Sequence, residues 1–80
     1  MPTQASTLLS CKPGVRYRIT GLHGGPGFQA RLRNMGFVPG QTIVKLHTHP
    51  FRGPVTVQIG HTQLALGRGM AGRILLESIP

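Results

Sequence analysis

Acidic side chains are nearly absent from this 80-residue sequence, which has one acidic residue, Glu77, against nine lysines and arginines. Paired acid–base catalysis and an oriented nucleophile both need carboxylates that the chain does not have. We therefore expect a protein that is not an enzyme. The net charge of +8 instead favours an acidic partner, such as nucleic acid, an anionic membrane surface or an acidic patch on another protein.

Cysteine and long apolar runs are also scarce. The one cysteine, Cys11, excludes a disulfide within the chain. It precedes a Lys-Pro-Gly turn at 12–14, so we expect an exposed thiol without a catalytic role. The longest apolar runs span only a few residues, too few for a membrane-crossing helix. We therefore expect a cytoplasmic protein.

A glycine-rich segment, GPGFQA at 25–30, fits the G-x-G-x-x-A pattern of dinucleotide-binding proteins and lies between a strand-like and a helix-like run. That pattern needs an acidic residue about 20 positions later, whereas the only acid, Glu77, comes much further along the chain. A phosphate-binding loop needs a Lys-Ser or Lys-Thr pair, and none is present. We therefore interpret residues 24–27 as a turn, after which a helix N-terminus could hold a small anion at most.

Alternating apolar and polar residues predict five short strands. In the first, Val15, Tyr17 and Ile19 are expected to point inward and the intervening arginines outward. Gly60-His61 fits a two-residue hairpin turn, and GRGMAG at 67–72 is interpreted as another turn. The later strands are predicted within 42–49, 55–59, 62–66 and 73–79.

One short helix is predicted after the first strand. Phe28, Leu32 and Met35 recur at the spacing of one helix face, which is expected to pack into the core. Gly36 is well placed to end the helix in a left-handed conformation. A small antiparallel sheet leaves exposed edges unless it curls. We therefore predict a mainly β fold, a small SH3-like and partly open β-barrel of about five strands with one short helix.

Histidines suggest a weak metal site. His47 and His49 lie on one face of an extended segment, where two imidazoles can hold zinc, nickel or copper. His61 is expected at the far end of the next strand, so it could join them only from a neighbouring chain. Two ligands are too few for a structural tetrahedral site. We therefore predict no required cofactor and at most a weak, exposed and pH-dependent surface zinc site, with solvated histidines as the alternative.

Nucleic-acid binding is the alternative that the charge suggests. Small β-barrels bind nucleic acid through a basic groove and aromatic stacking platforms. The basic part is present here, but the aromatics are only Tyr17, Phe28, Phe37 and Phe51. The first two are already assigned to the core, so this hypothesis is the weaker one.

The segment RLRNMGFVPG at 31–40 resembles the R-L-x-x-[ML]-G-[FLI]-x-P-G segment of the ferrous iron transport protein A (FeoA) family. Further pieces are similar in order and spacing, so that the resemblance covers residues 7–77. They are Leu8-Leu9, Pro13-Gly14, Gly53-Pro54-Val55, Gly60, Leu64-Ala65-Leu66, Arg68, Ala71 and Ile74.

This resemblance implies a cytoplasmic accessory protein of bacterial ferrous iron uptake. Its expected partner is the membrane protein FeoB, which carries a cytosolic GTPase domain and would bring the chain to the inner membrane. A homodimer is a further prediction. The barrel domain is expected over 7–80, after a disordered N-terminus at 1–6. The chain departs from the family in charge, because Met70-Ala71 stands where relatives commonly have an acidic residue before the alanine.

Five residues are the predicted contacts with FeoB. Arg31 and Arg33 are expected as charge contacts on the helix, and Phe37 as an apolar anchor beside it. Phe51 and Arg52, in a loop bounded by prolines, are the second candidate. Arginine and aromatic side chains are the usual energetic centres of protein interfaces.

Overall fold

The computed structural model describes residues 6–47 and 53–79, and within them six strands form one antiparallel sheet accompanied by two short helices. The spatial order of the strands is β1-β6-β2-β3-β4-β5, so the open sheet has β1 and β5 as its edges. The elements are β1 Ser6–Thr7, β2 Arg16–Leu22, α1 Pro26–Asn34, β3 Thr42–His47, β4 Val55–Ile59, β5 Thr62–Leu66, α2 Arg68–Ala71 and β6 Ile74–Ser78.

One face of the sheet forms the core, because alternate residues of the strands point to the same side. Phe37 is the largest of the fully buried side chains, and α1 adds Leu32 to the same cluster. The predicted mainly β fold is therefore confirmed. The other buried apolar side chains are Leu8, Cys11, Tyr17, Ile19, Ile43, Val55, Val57, Leu66, Ala71, Ile74 and Leu76.

Three elements differ from the sequence prediction. Helix α1 begins at Pro26, so the second half of the turn predicted at 24–27 belongs to the first turn of the helix, where proline is favoured. Ser6 and Thr7 pair with Leu76 and Leu75 as a sixth strand, so Ser6 does not belong to a disordered terminus. A strand of two residues shows no periodicity, which is why the alternation rule missed it. The segment predicted as a turn at 67–72 contains the helix α2. The hairpin turn at Gly60-His61 is confirmed, since Ile59 pairs with Thr62.

Val15 and Met35 were wrongly predicted to point into the core. Their exposed fractions are 42% and 38%. Val15 precedes the first residue of β2 and follows Gly14, whose φ is 80°, so the strand alternation does not extend to it. Met35 is the C-cap of α1, where the chain already leaves the helix.

Cys11 was predicted to be exposed, and this is also wrong, because its side chain is buried. The turn after β1 folds over the end of the sheet and buries Leu8 completely. Lys45 on β3 stabilises this turn, because its Nζ donates hydrogen bonds to the carbonyls of Leu8 at 2.9 Å and Leu9 at 3.2 Å. The Cys11 thiol donates a weaker bond to the Leu8 carbonyl at 3.6 Å. We refer to Leu8, Cys11 and Lys45 as the interior lysine cluster.

Candidate partner-binding surface

The last turn of α1 carries two of the predicted contacts, Arg31 and Arg33, and both are exposed. Leu32 lies between them in the sequence and is fully buried. Its burial fixes the rotation of the helix and therefore the directions in which Arg31 and Arg33 leave it. Residues two apart on a helix do not face each other, so the two guanidinium groups leave different flanks of α1. A partner can therefore bind either flank without disturbing the core.

A third arginine lies against the same helix, and sequence reasoning missed it. The Cζ atom of Arg73 is 5.2 Å from the ring centroid of Phe28, which is one turn before Arg31 on α1. Such a cation–π contact holds the guanidinium in place while leaving it exposed. No local pattern links positions 28 and 73, because the sheet topology brings them together. We refer to Arg31, Arg33 and Arg73 as the α1 basic surface.

The only acidic side chain of the sequence is already engaged elsewhere. Glu77 accepts a hydrogen bond from Arg18 at 3.3 Å, and both side chains are partly exposed. Arg18 and Glu77 are cross-strand partners in the pairing of β2 with β6. Since the chain has no second acidic side chain, none is left to neutralise the α1 basic surface from within.

Phe37 was wrongly predicted as an exposed anchor, because it is completely buried. Gly36, at φ 104°, ends α1 and turns the chain back. The Phe37 N–H then donates to the Leu32 carbonyl at 3.0 Å, and the Gly36 N–H donates to the Arg33 carbonyl at 3.0 Å. This is the Schellman pattern, in which the residue after the glycine packs against the last turn of the helix. The signal was present in the sequence, since Leu32 and Phe37 are the two apolar residues that this motif brings together.

The second predicted contact, Phe51 and Arg52, lies outside the residues that the structure describes, as does His49. These three stay predictions from the sequence. The neighbouring strands β3 and β4, whose described bounds are 42–47 and 55–59, pair in antiparallel orientation.

The two described histidines of the predicted metal site lie at opposite ends of β4. His47 is exposed at the end of β3 and pairs with Thr56 near the start of β4. His61 follows the end of β4, so the prediction that His47 and His61 lie at opposite ends of this strand is confirmed. Within residues 6–47 and 53–79, no group of three His, Cys, Asp or Glu side chains could hold a metal ion. A site shared between two chains stays a prediction.

The fold and its surface define a class: a small open antiparallel sheet of the SH3-like type that presents basic side chains around a short helix. The sequence matches the model of the FeoA domain over residues 6–78. The chain belongs to the FeoA family, and a FeoA domain supports a role in ferrous iron transport. No curated protein matches the sequence.

Two solved structures are similar to nearly the whole chain. One is the iron uptake regulatory protein FeoA, which is 32% identical with a TM-score of 0.85 and covers 95% of this chain and 100% of its own. The other is the iron(II) transport protein A from Clostridium thermocellum, which is 32% identical with a TM-score of 0.83 over 91% of this chain and 45% of that one. The predicted SH3-like fold and the resemblance to FeoA are thus confirmed.

A manganese-dependent transcriptional repressor is similar in fold. It is 20% identical with a TM-score of 0.85, and the match covers 99% of this chain but 44% of the repressor. At this identity the likeness shows a shared fold and nothing of function. Neither helix within the described ranges, 6–47 and 53–79, has the length and apolarity needed to cross a bilayer.

Proposed function

We propose that this protein is a cytoplasmic accessory protein of bacterial ferrous iron uptake, which regulates or assembles the transporter FeoB by direct contact with its cytosolic region and GTPase domain. The match to the FeoA domain over residues 6–78 carries this proposal. The sequence has only one acidic side chain, too few for paired acid–base catalysis. The protein would therefore act by binding a partner and not by catalysis. Binding to FeoB would hold the protein at the inner membrane.

The α1 basic surface is the part of the molecule best suited to this contact. Its three guanidinium groups are exposed, and the sequence has no acidic side chain left to pair with them, since Glu77 lies beside Arg18. Planar guanidinium groups bind carboxylates through two parallel hydrogen bonds. An acidic patch on FeoB would satisfy the guanidinium groups on the flank of α1 that it covers, and the fully buried Leu32 and Phe37 keep the helix rigid beneath.

The proposal is tested by measuring the affinity of the purified protein for the cytosolic region of FeoB from the same organism. We expect saturable binding near physiological salt. The double variant R31A/R33A should bind about tenfold more weakly or worse, because truncating an arginine at an interface centre costs more than about 1 kcal/mol. The matched control K12A/R68A also removes two positive charges from exposed positions, and it should bind almost as well as wild type. Equal losses in the two double variants would exclude a specific role for the helix.

The alternative function is nucleic-acid binding, which the net charge of +8 favours. The aromatic side chains weigh against it. Among the described residues, Tyr17 and Phe37 are buried and Phe28 is partly buried under Arg73, so none offers an open face for stacking a base. Random RNA and DNA in the same assay, over a salt series, separate the two functions. The accessory role is supported if binding of nucleic acid is lost as the salt concentration rises while FeoB stays bound.

A further inference from the structure

A surface groove opens on the outer face of the sheet, where β2, β3 and β4 lie side by side. Its volume is about 440 Å³, which is in the range of pockets that hold small ligands. No residue of α1 lines it, so the groove is separate from the α1 basic surface and goes beyond the function proposed above. The residues that shape it are Arg16, Gly40, Gln41, Thr42, Val44 and Gln58, with Gly60 at one end.

The strand register sets the order of side chains in the groove. Arg16 pairs with Val44, and Val44 pairs with Gln58. The three therefore form one row across three strands, on the face opposite the buried Tyr17 and Val57. The row places a guanidinium at one end, an apolar side chain in the middle and an amide at the other end.

The two ends of the groove are held by hydrogen bonds within the chain. The Gln58 Nε2 donates to the Gly60 carbonyl at 3.0 Å, and the Gln58 Oε1 accepts from Gln63 at 3.4 Å. On the other side, the Gly40 N–H donates to the Ile19 carbonyl at 2.7 Å, which pins that turn against β2. Walls that are fixed before binding lower the entropic cost of holding a ligand.

The charge of the groove points to an anionic ligand from outside the chain. The sequence has one acidic side chain, Glu77, and it lies beside Arg18, so none is left to pair with Arg16. A guanidinium next to an apolar side chain and amides suits an anionic oxygen on a short apolar stem. None of the described residues that line the groove is aromatic, which disfavours a nucleic-acid strand that binds by stacking.

We propose that this groove binds an acidic peptide segment by receiving the carboxylate of a Glu or Asp side chain. Arg16 would bind the carboxylate, and Val44 would contact the methylene stem. The amide side chains of Gln41 and Gln58 would contact the peptide backbone.

Amide chemical shifts of the full ¹⁵N-labelled chain test this proposal directly. The probe is an acetylated tetraglutamate peptide amide, and the controls are the matching tetraglutamine peptide and an oligothymidylate. We expect saturable shifts at Gln41, Val44 and Gln58 with the glutamate peptide only. The variant R16Q should weaken binding about tenfold or more, the loss expected for a hydrogen bond to a charged group, and R16K should fall between.

The variant R68Q removes the same charge from an exposed position outside the groove, and it should change the affinity less than twofold if the groove is specific. Four results would each overturn the proposal. They are equal weakening by R16Q and R68Q, shifts spread over all basic residues, no binding of the glutamate peptide, and tighter binding of the oligothymidylate in the groove. The spectra also report folding, because Arg16 is exposed and the other amide signals should not move. FeoB is absent from this experiment, so its result does not depend on the function proposed above.

Discussion

Two basic side chains on adjacent strands, Arg16 and Lys45, lie close in the sheet and have opposite roles. Arg16 pairs with Val44, the residue before Lys45, so the two point to opposite faces. Lys45 is 3% exposed, and its amino group donates hydrogen bonds to the carbonyls of Leu8 and Leu9. Arg16 lines an open groove. The face of the sheet therefore decides whether a basic residue serves the fold or is left for a partner.

The same division between interior and surface separates Phe37 from Arg31, which were both predicted to contact FeoB. Phe37 is fully buried and belongs to the core, whereas Arg31 is exposed on α1. Substitutions on the inner face should change stability, and substitutions on the outer face should change binding.

The largest expected effect on stability is that of Phe37→Ala. Removing a fully buried phenylalanine leaves a cavity and should lower the free energy of unfolding by about 3–5 kcal/mol. Urea unfolding followed by circular dichroism measures it. Phe28→Ala, at a partly buried position, is the control and should cost less. A small cost for Phe37→Ala together with a large loss of FeoB binding would restore the anchor role that the structure contradicts.

Lys45→Met should have the next largest effect. It keeps an unbranched side chain in the core but removes the donor to two carbonyls, and an unsatisfied buried polar group costs about 1–3 kcal/mol. The midpoint of thermal unfolding should fall by several degrees. Lys12→Met changes an exposed lysine and should stay within about 0.5 kcal/mol of wild type. Equal stability of the two variants would show that the interior lysine cluster contributes nothing.

A smaller, pH-dependent effect is expected at Cys11. Burial raises the pKa of its thiol above the ordinary value, an effect that nearby Lys45 reduces in part. In the unfolded chain the thiol ionises at about pH 8.5. Above that pH the unfolded state binds fewer protons than the folded state, so the free energy of unfolding falls. The stability that the protonated Cys11 thiol contributes is complete below about pH 8.5 and is lost as the pH rises through the pKa of the folded state.

The comparison with Cys11→Ala isolates that contribution. The difference in unfolding free energy between wild type and variant should be constant from pH 6 to 8, then shift against wild type at higher pH. A difference that does not change with pH would mean that the thiol is as accessible to water in the folded state as in the unfolded one.

The smallest effect is expected for the ion pair on the surface. Both side chains of the Arg18–Glu77 pair are more than a third exposed, so their coupling in a double-mutant cycle with R18Q and E77Q should be about 0–1 kcal/mol. It should decrease further at high salt. A coupling well above this range would indicate that the outer face also contributes to holding the fold.

Most of the fold could be predicted from the sequence because period-two alternation is a strong signal. The strands around Tyr17, Ile43 and Val57 were found in this way, and Gly36 and Gly60 marked two of the turns. The alternation rule failed where an element was too short to show a period, as in β1, or where the pattern ran past the end of a strand, as at Val15.

The candidate site was harder to predict because it depends on contacts between distant segments. Arg31 and Arg33 are exposed as expected from their place on α1. Arg73 was missed because only the sheet topology brings it to Phe28. Lys45 and Cys11 were missed for a related reason: a lysine or a residue before a turn is usually exposed, and here the turn after β1 covers both.

The most direct test of the account is to record amide chemical shifts of the ¹⁵N-labelled protein as the cytosolic region of its own organism's FeoB is added at physiological salt. We expect saturable changes at Arg31, Arg33 and their neighbours on α1, while the amides of Phe37 and Lys45 in the interior stay unchanged. Absence of any saturable change, or changes centred on the interior lysine cluster, would contradict it.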